Sequence, residues 1–513
     1  MSYINYYMIR VIGKKMKINY LSKETNIKIK LALIMLALSV VYVCLFSYTT
    51  SVLYPNYFGF DQAEFMTIGK MWSLGRLPYV TIFDHKGPII FFVNMIGLVI
   101  GAGNKVGISI IQIIFMYFTI YGIYKISQLY KTSVSYGIIC ILLTLILMKP
   151  NYYEGDTVEE YCVPFLCWSA YYLLSWYKDR NTKGILEHNP KYGLLYGITF
   201  GVCLFTRVTN IAPITGLIFV VIVVLIVNRA WKILFQNAIY FLAGVALIVL
   251  PFSIYFAANG ALYDLWYGTL IHNVKYFNGA EPWLITYGAE GIKSFLEKYF
   301  LFYSIFFVIP ITLWKKEYVL SIALSITALV EIYVFFGGFI AVQYPFVCVY
   351  QFVVLLNVLS QLLDEEDTAK RLVYGILISI IGYQAFKVCI YDNATKVVDY
   401  KLAHNKVITR EYQALVEEIP DEDMDSFVSY GRAELAEVYL VTNTVPCYKY
   451  AFIQDWYASF SDKVREEVRA LYASGEAKWI LSDQGTNVID DILQEKYEVY
   501  DTREEYVLWK LKE

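Results

Sequence analysis

DHKGPIIFFVNMIGLVIG, Asp84 to Gly101, sets three ionisable residues directly against a run of fourteen mostly apolar ones. A helix needs about 20 apolar residues to cross a bilayer core of about 30 Å, so Pro88 to Gly101 is short for a span. Whether it crosses decides the orientation of everything after it. If it stays on one face, as a re-entrant or interfacial helix within an external segment of 53–105, the short basic loops all fall on the other side. Those loops hold Lys125 and Lys131; Lys178, Arg180, Lys183 and Lys191; Arg229 and Lys232; Lys315 and Lys316; and Lys370 and Arg371. An excess of Lys and Arg marks the cytoplasmic side, so this arrangement puts the N-terminus inside and Asp84–Lys86 outside.

The rest of the chain supports a polytopic membrane protein. Of 513 residues, 58% are hydrophobic and 17% charged, against about 45–50% and about 25% for an ordinary soluble protein. The mean hydropathy is +0.47. Hydropathy predicts eleven spans, at roughly 31–52, 106–128, 133–149, 161–177, 192–208, 211–228, 234–257, 299–314, 318–338, 343–363 and 371–391. Residues 1–30 form a basic cytoplasmic N-terminus, and the run from Leu31 reads as an anchoring helix with no small-residue cleavage site behind it. A net charge of -2 gives no footprint for nucleic acid. The eight Cys are scattered without CxxC spacing and read as reduced thiols.

After Tyr391 charges become frequent, and 392–513 reads as a small soluble α/β domain. Ser426–Tyr430 and Lys478–Ser482 have strand character, and Asp462–Ala473 and Val488–Lys496 have helical spacing. An odd number of spans places this domain outside. It has neither GxGxxG nor a phosphate loop, so no chemistry is assigned to it beyond covering the site or meeting an acceptor.

Ionisable residues collect on the external face. Asp61 and Glu64 open an amphipathic segment, Gln62 to Leu74; Asp61 suits a helix cap as well as a catalytic carboxylate. PNYYEGDTVEEY, Pro150 to Tyr161, holds Asp156, Glu159 and Glu160 in a short loop, where they are either solvated or aimed at the site. LYDLWYGTLIHNVKYFNG, Leu262 to Gly279, brings His272, which with Asp84 and His85 makes a partial metal set without tight spacing. Arg207 sits at the external end of an apolar pair, where an Arg in the membrane costs about 2.5–3.5 kcal/mol unless it faces a cavity or an anion. Tyr344, beside Gln343 at the start of YPFVCVYQF, is placed similarly and is a candidate substrate contact.

These parts suit transfer of a sugar from a lipid phosphate to a hydroxyl. Lys86 and Arg207 can hold the phosphate and stabilise its growing charge, and Asp61 can act as base. A phosphate leaves without a separate acid, and one base opposite it predicts inversion at the anomeric carbon.

The order of a first span, an external Asp opening an interfacial helix, and an aromatic–acidic–Lys stretch leading into another apolar helix resembles the GT-C superfamily of polyprenyl-phosphate-dependent glycosyltransferases. The branch holding the aminoarabinose and protein O-mannosyl transferases is the most similar. FGFDQAEF, GRLPYVTIFDHKGP, EGDTVEEY and WYGTLIHNVKYF carry the resemblance, which runs over 31 to about 391. It implies an all-α membrane bundle of about eleven spans with interfacial helices, and an undecaprenyl-phosphate-type sugar donor. The acceptor is then a hydroxyl of a cell-envelope lipid, glycan or protein, met at the external face of the plasma membrane. It implies Asp61 as catalytic carboxylate, Lys86 as phosphate contact, and an assisting acid in the second external loop, where Glu159 and Glu160 both fit and Glu159 is slightly favoured. Glu64, Arg207, Glu160 and Tyr344 are expected to contact substrate. His272 matches a position that holds a structural metal with an acid next to the Lys; here His85 precedes Lys86 and Asp84 lies one further back. A divalent metal is thus an open expectation and none is required. Relatives often have Pro where this chain has Gly87. The competing readings are a lipid-linked sugar flippase or transporter and a surface polysaccharide polymerase or ligase. Internal repeats would favour the transporter, and none is found.

Overall fold

The computed structural model describes residues 25–184, 186–279, 288, 298–336, 341–362, 367–388, 411–483 and 487–513. The basic stretch before residue 25 and the predicted domain boundary at 391/392 lie outside these residues.

A helix occupies each of the eleven segments that hydropathy marks. They are α1 (Thr25–Phe46), α4 (Val106–Ser127), α5 (Val134–Tyr152), α6 (Val163–Lys183), α7 (Pro190–Leu204), α8 (Ala212–Val227) and α9 (Trp231–Ala258), then Phe300–Trp314, Tyr318–Phe336, Val349–Leu362 and Thr368–Phe386. Among the described residues, seven helices are long and apolar enough to cross a membrane. The first starts six residues earlier than expected and stops at Phe46, because the chain turns at Tyr48–Thr50, where Thr49 bonds the Glu154 carbonyl of the loop between α5 and α6.

Between α1 and α4 lie two shorter helices. α2 (Asp61–Ser73) buries nearly its whole length, and α3 (Pro88–Ile100) is 13 residues, about 20 Å, too short for the bilayer core. Pro88 at the first turn of α3 costs nothing, since its missing N–H would have no intrahelical partner. The two helices pack closely: a Cβ on Gly69 of α2 would lie 2.7–2.9 Å from the backbone and side chain of Asn94 and Met95 of α3.

The C-terminal part is an α/β domain with a four-stranded sheet in the order β1-β2-β4-β3. β1 (Phe427–Tyr430) pairs in parallel with β2 (Trp479–Asp483); β2 and β3 (Tyr497–Arg503) pair antiparallel with β4 (Tyr506–Leu511). The first two strands were legible in sequence. β3 was not, because only Tyr497 of its seven residues is buried and charges interrupt its alternation. Asp462–Ser474 and Asp490–Lys496 are the helices expected there.

This domain is seated on α2 and the segment after it. Lys70 donates to the Tyr439 and Thr444 carbonyls, Thr67 to the Ala436 carbonyl, and Arg76 to the Pro446 carbonyl. The Phe83 N–H donates to Lys449 O at 2.8 Å. One apolar cluster continues from Phe65, Phe83 and Phe91 through to Tyr450 and Tyr457. The seven cysteines among the described residues are unpaired thiols.

Candidate active site

Lys86 and Arg207 are 121 positions apart in sequence, and the backbone beside them joins them. The Gly87 N–H donates to Thr206 O at 2.9 Å and the Ile89 N–H to Phe205 O at 3.0 Å. A Cβ on Gly87 would fall 2.2 Å from the Phe205 carbonyl, so this approach requires glycine. Proline here would also lack the N–H that makes the first of those bonds. Both cations act electrostatically on the same two tyrosines, Tyr344 and Tyr276.

Each cation has an anionic neighbour. Lys86 Nζ lies 3.6 Å from Asp84 Oδ1. Burial disfavours its charge, but Asp84, Asp61 and Glu64 outweigh that and hold its pKa above the ordinary lysine value. Arg207 donates to Glu159 Oε1 at 3.2 Å, and its guanidinium lies 3.3 Å over the Tyr344 ring, a cation–π stack that fixes its plane. Glu159 is buried, and burial raises its pKa against the opposing pull of Arg207.

Asp61 is the first residue of α2. Phe60 occupies the N-cap, and no side chain caps the helix, so the capping reading of Asp61 does not apply. The carboxylate is partly exposed and acts electrostatically on Lys86, Glu64, Glu159, His85 and Tyr457, which places it near Lys86 and near Glu159, the partner of Arg207. Glu64, one turn on, is fully buried with neither oxygen hydrogen-bonded. Its pKa is pushed well up by burial and then by Asp84 and Asp61, with Lys86 opposing. A neutral acid there can donate a hydrogen bond.

Glu160 is turned away from this pocket. Its oxygens accept from Tyr152 Oη, Gln112 Nε2 and the Asp156 N–H at 2.8–2.9 Å, and burial pushes its pKa up to about 8. Asp156 accepts from Tyr161 Oη at 2.6 Å and Asn94 Nδ2 at 3.3 Å, with its pKa pushed up to about 6 by burial. The loop is tied to α2 through Gln62 Nε2, which donates to Gly155 O at 2.9 Å. Of the two neighbouring acids, Glu159 alone faces a site cation.

Asp84, His85 and His272 share one aromatic-walled pocket. Asp84 Oδ1 lies 2.9 Å from His85 Nδ1 and accepts from Tyr457 Oη at 3.1 Å. Burial opposes ionisation of Asp84, yet Lys86 and the bonds from His85 keep its pKa below the usual carboxylate range. The His85 and His272 rings are 6.2 Å apart, and His272 is boxed by Phe83, Tyr267, Trp456 and Tyr457. Burial lowers the His272 pKa to about 3. Neither His272 nitrogen nor Asp84 Oδ2 has a hydrogen-bond partner. These are donor atoms, but among the described residues no three His, Cys, Asp or Glu side chains are grouped closely enough to hold one ion. The donor set does not make a complete metal site, and no step is derived through one.

Tyr276, Trp456 and Tyr457 were not singled out in the sequence. The last two come from the C-terminal domain, on a helix (Gln454–Ser459) whose entry residue Ile453 has φ +44°. QDWYASF carries aromatic spacing suited to a core, and nothing in it signals that the core in question belongs partly to another domain.

Residues 85–257 match the family model described as dolichyl-phosphate-mannose-protein mannosyltransferase, an interval that holds Lys86, Glu159 and Arg207. A comparison with curated proteins finds no match. Among solved structures, the chain is similar to ArnT from Cupriavidus metallidurans bound to undecaprenyl phosphate. The TM-score is 0.56 at 11% identity over 93% of this chain and 97% of that one. It is also similar to the Archaeoglobus fulgidus oligosaccharyltransferase in its apo form, with a TM-score of 0.52 at 14% identity over 88% of this chain and 69% of that one. At these identities the likeness is one of fold.

Proposed function

We propose that this chain is a GT-C polyprenyl-phosphate-dependent glycosyltransferase, of the inverting kind and working at the external membrane face; the family match over residues 85–257 and the fold likeness support the reading. The donor is a sugar on a polyprenyl phosphate of the undecaprenyl kind, and the acceptor is a hydroxyl of the cell envelope. The C-terminal domain lies on the same external side.

The observation that carries the reading is the backbone pairing of Gly87–Ile89 with Phe205–Thr206, which brings Lys86 and Arg207 to one pocket within electrostatic reach of Asp61. The phosphate sits between the two cations. Asp61 takes the proton of the acceptor hydroxyl as that oxygen bonds to the anomeric carbon. The bond from that carbon to the phosphate oxygen breaks, and its electron pair passes to the phosphate, where Lys86 and Arg207 stabilise it. Glu159 and Tyr344 hold the guanidinium in place, and Glu64 borders the sugar. The charges that do this work all belong to the chain.

The test is incubation of the purified protein in lipid with a panel of radiolabelled undecaprenyl-phosphate sugars and membrane extract. Transfer of label from one of them is expected. Uptake of lipid-linked sugar into vesicles without any new glycosidic bond would favour the transporter reading instead.

A further inference from the structure

The C-terminal domain has a cleft of about 480 Å³ at the carboxyl ends of its two parallel strands, lined by Gly431, Arg432, Asp455, Trp456, Asp483 and Glu505 among others. That volume lies in the range of about 300–1,000 Å³ occupied by small-molecule sites. The cleft is a built one. Arg432 donates to Asp483 Oδ2 from both its backbone N–H (3.1 Å) and Nε (2.8 Å), and its Nη2 lies 2.6 Å from Glu505 Oε2. Asp455 accepts from the Asn487 and Val488 N–H groups and from Tyr430 Oη. Gly431, at φ +137°, leaves the space into which Asp483 projects; a Cβ there would lie 2.4 Å from Asp483 Oδ1.

Trp456 belongs to this cleft and to the active-site pocket at once. Its ring lies 4.9 Å from His85 and 5.0 Å from Tyr276, next to the phosphate-holding cations. It is partly exposed, and its indole N–H makes no hydrogen bond among the described residues. A ligand in the cleft thus meets an aromatic face, an open donor, carboxylates with lone pairs to spare and one guanidinium. Among the described residues of the cleft, three carboxylates against one Arg disfavour an anion. Neutral hydroxyls satisfy the carboxylates without that cost, and the sugar ring's C–H face suits the indole.

We propose that this cleft is the acceptor subsite and that it takes a neutral saccharide, so that the acceptor hydroxyl belongs to a glycan. The chain end bound there passes over Trp456 to present its hydroxyl to Asp61. This inference rests on the glycosyltransferase reading and deepens it.

The experiment uses the full-length protein in lipid nanodiscs and reads saturation-transfer NMR with three probes: cellotetraose, tetragalacturonate and a Ser/Thr-rich decapeptide. Binding of undecaprenyl phosphate is measured in parallel. Cellotetraose is expected to bind. Its affinity should fall about tenfold in Trp456→Ala and fall also in Glu505→Gln, an exposed substitution that keeps the fold. Glu505→Gln should retain undecaprenyl phosphate binding. Absence of cellotetraose binding, binding indifferent to both cleft variants, or preference for the peptide or the anionic sugar overturns the proposal. If cellotetraose binds as expected while undecaprenyl phosphate does not bind the wild type, the cleft stands and the glycosyltransferase reading fails.

Discussion

The two acidic segments above the membrane, the start of α2 and the loop at 154–160, are built in opposite ways. In the loop, Glu160 is buried with both oxygens supplied with donors, from Tyr152, Gln112 and the Asp156 N–H, while buried Asp156 has Oδ1 held by Tyr161 and Asn94 and Oδ2 unpartnered. At α2, Asp61 is partly exposed with no capping bond, and Glu64 is buried with no bond at all. A carboxylate whose lone pairs are taken holds the frame; one left uncommitted beside cations is available to a substrate. Glu159 stands between the two classes, with one oxygen on Arg207 and the other unpartnered.

That contrast can be broken most sharply at Asp61. Asp61→Asn removes the base and nothing structural, so kcat should fall about 10³–10⁴-fold with the melting temperature unchanged. Lys86→Ala and Arg207→Ala should each cost about 10²–10³-fold in turnover and weaken donor binding as well. Glu159→Gln keeps the shape but loosens the Arg207 guanidinium, and a roughly tenfold loss is expected, within the range for a charge-assisted hydrogen bond.

Glu160 sharpens the comparison from the other side, because its effect should be on stability. Its folded pKa, about 8, lies above the ordinary 4.5. The folded state therefore holds a proton that the unfolded state has released between those values, and stability falls as pH rises through that window. Asp156, at about 6, adds to the lower part of the fall. Glu160→Gln should flatten the decline of melting temperature between pH 5 and 8 while transfer persists; Glu160→Ala should lower the melting temperature at every pH. The smallest effect is expected from chelation: transfer by EDTA-treated protein should stay within about twofold, since the charges assigned to the step are side chains and, among the described residues, no complete ligand set is grouped.

The helical segments were legible because a bilayer imposes a length and a hydropathy on each of them. Arg207 was legible for a related reason, as a cation too costly to leave in the membrane without a partner. The pairing of Gly87 with Thr206 was not, since two short loop segments far apart in sequence carry no periodicity that announces a backbone bond. The stacking of Arg207 on Tyr344, across 137 positions, was invisible likewise. Sequence favoured Glu159 over Glu160 only slightly, as neighbours in a loop with no fixed period point to whichever side their hydrogen-bond partners occupy. The reach of Tyr457 to Asp84 depends on how two domains meet, which hydrophobic patterning within either one does not encode.

The central claim is that one carboxylate, Asp61, faces the acceptor across the anomeric carbon from a phosphate held by Lys86 and Arg207. The anomeric configuration of the product, read by NMR after transfer from a donor of defined configuration, tests it most directly. A product of inverted configuration is predicted. A product that keeps the donor's configuration would require a second nucleophile on the opposite face and contradict the account.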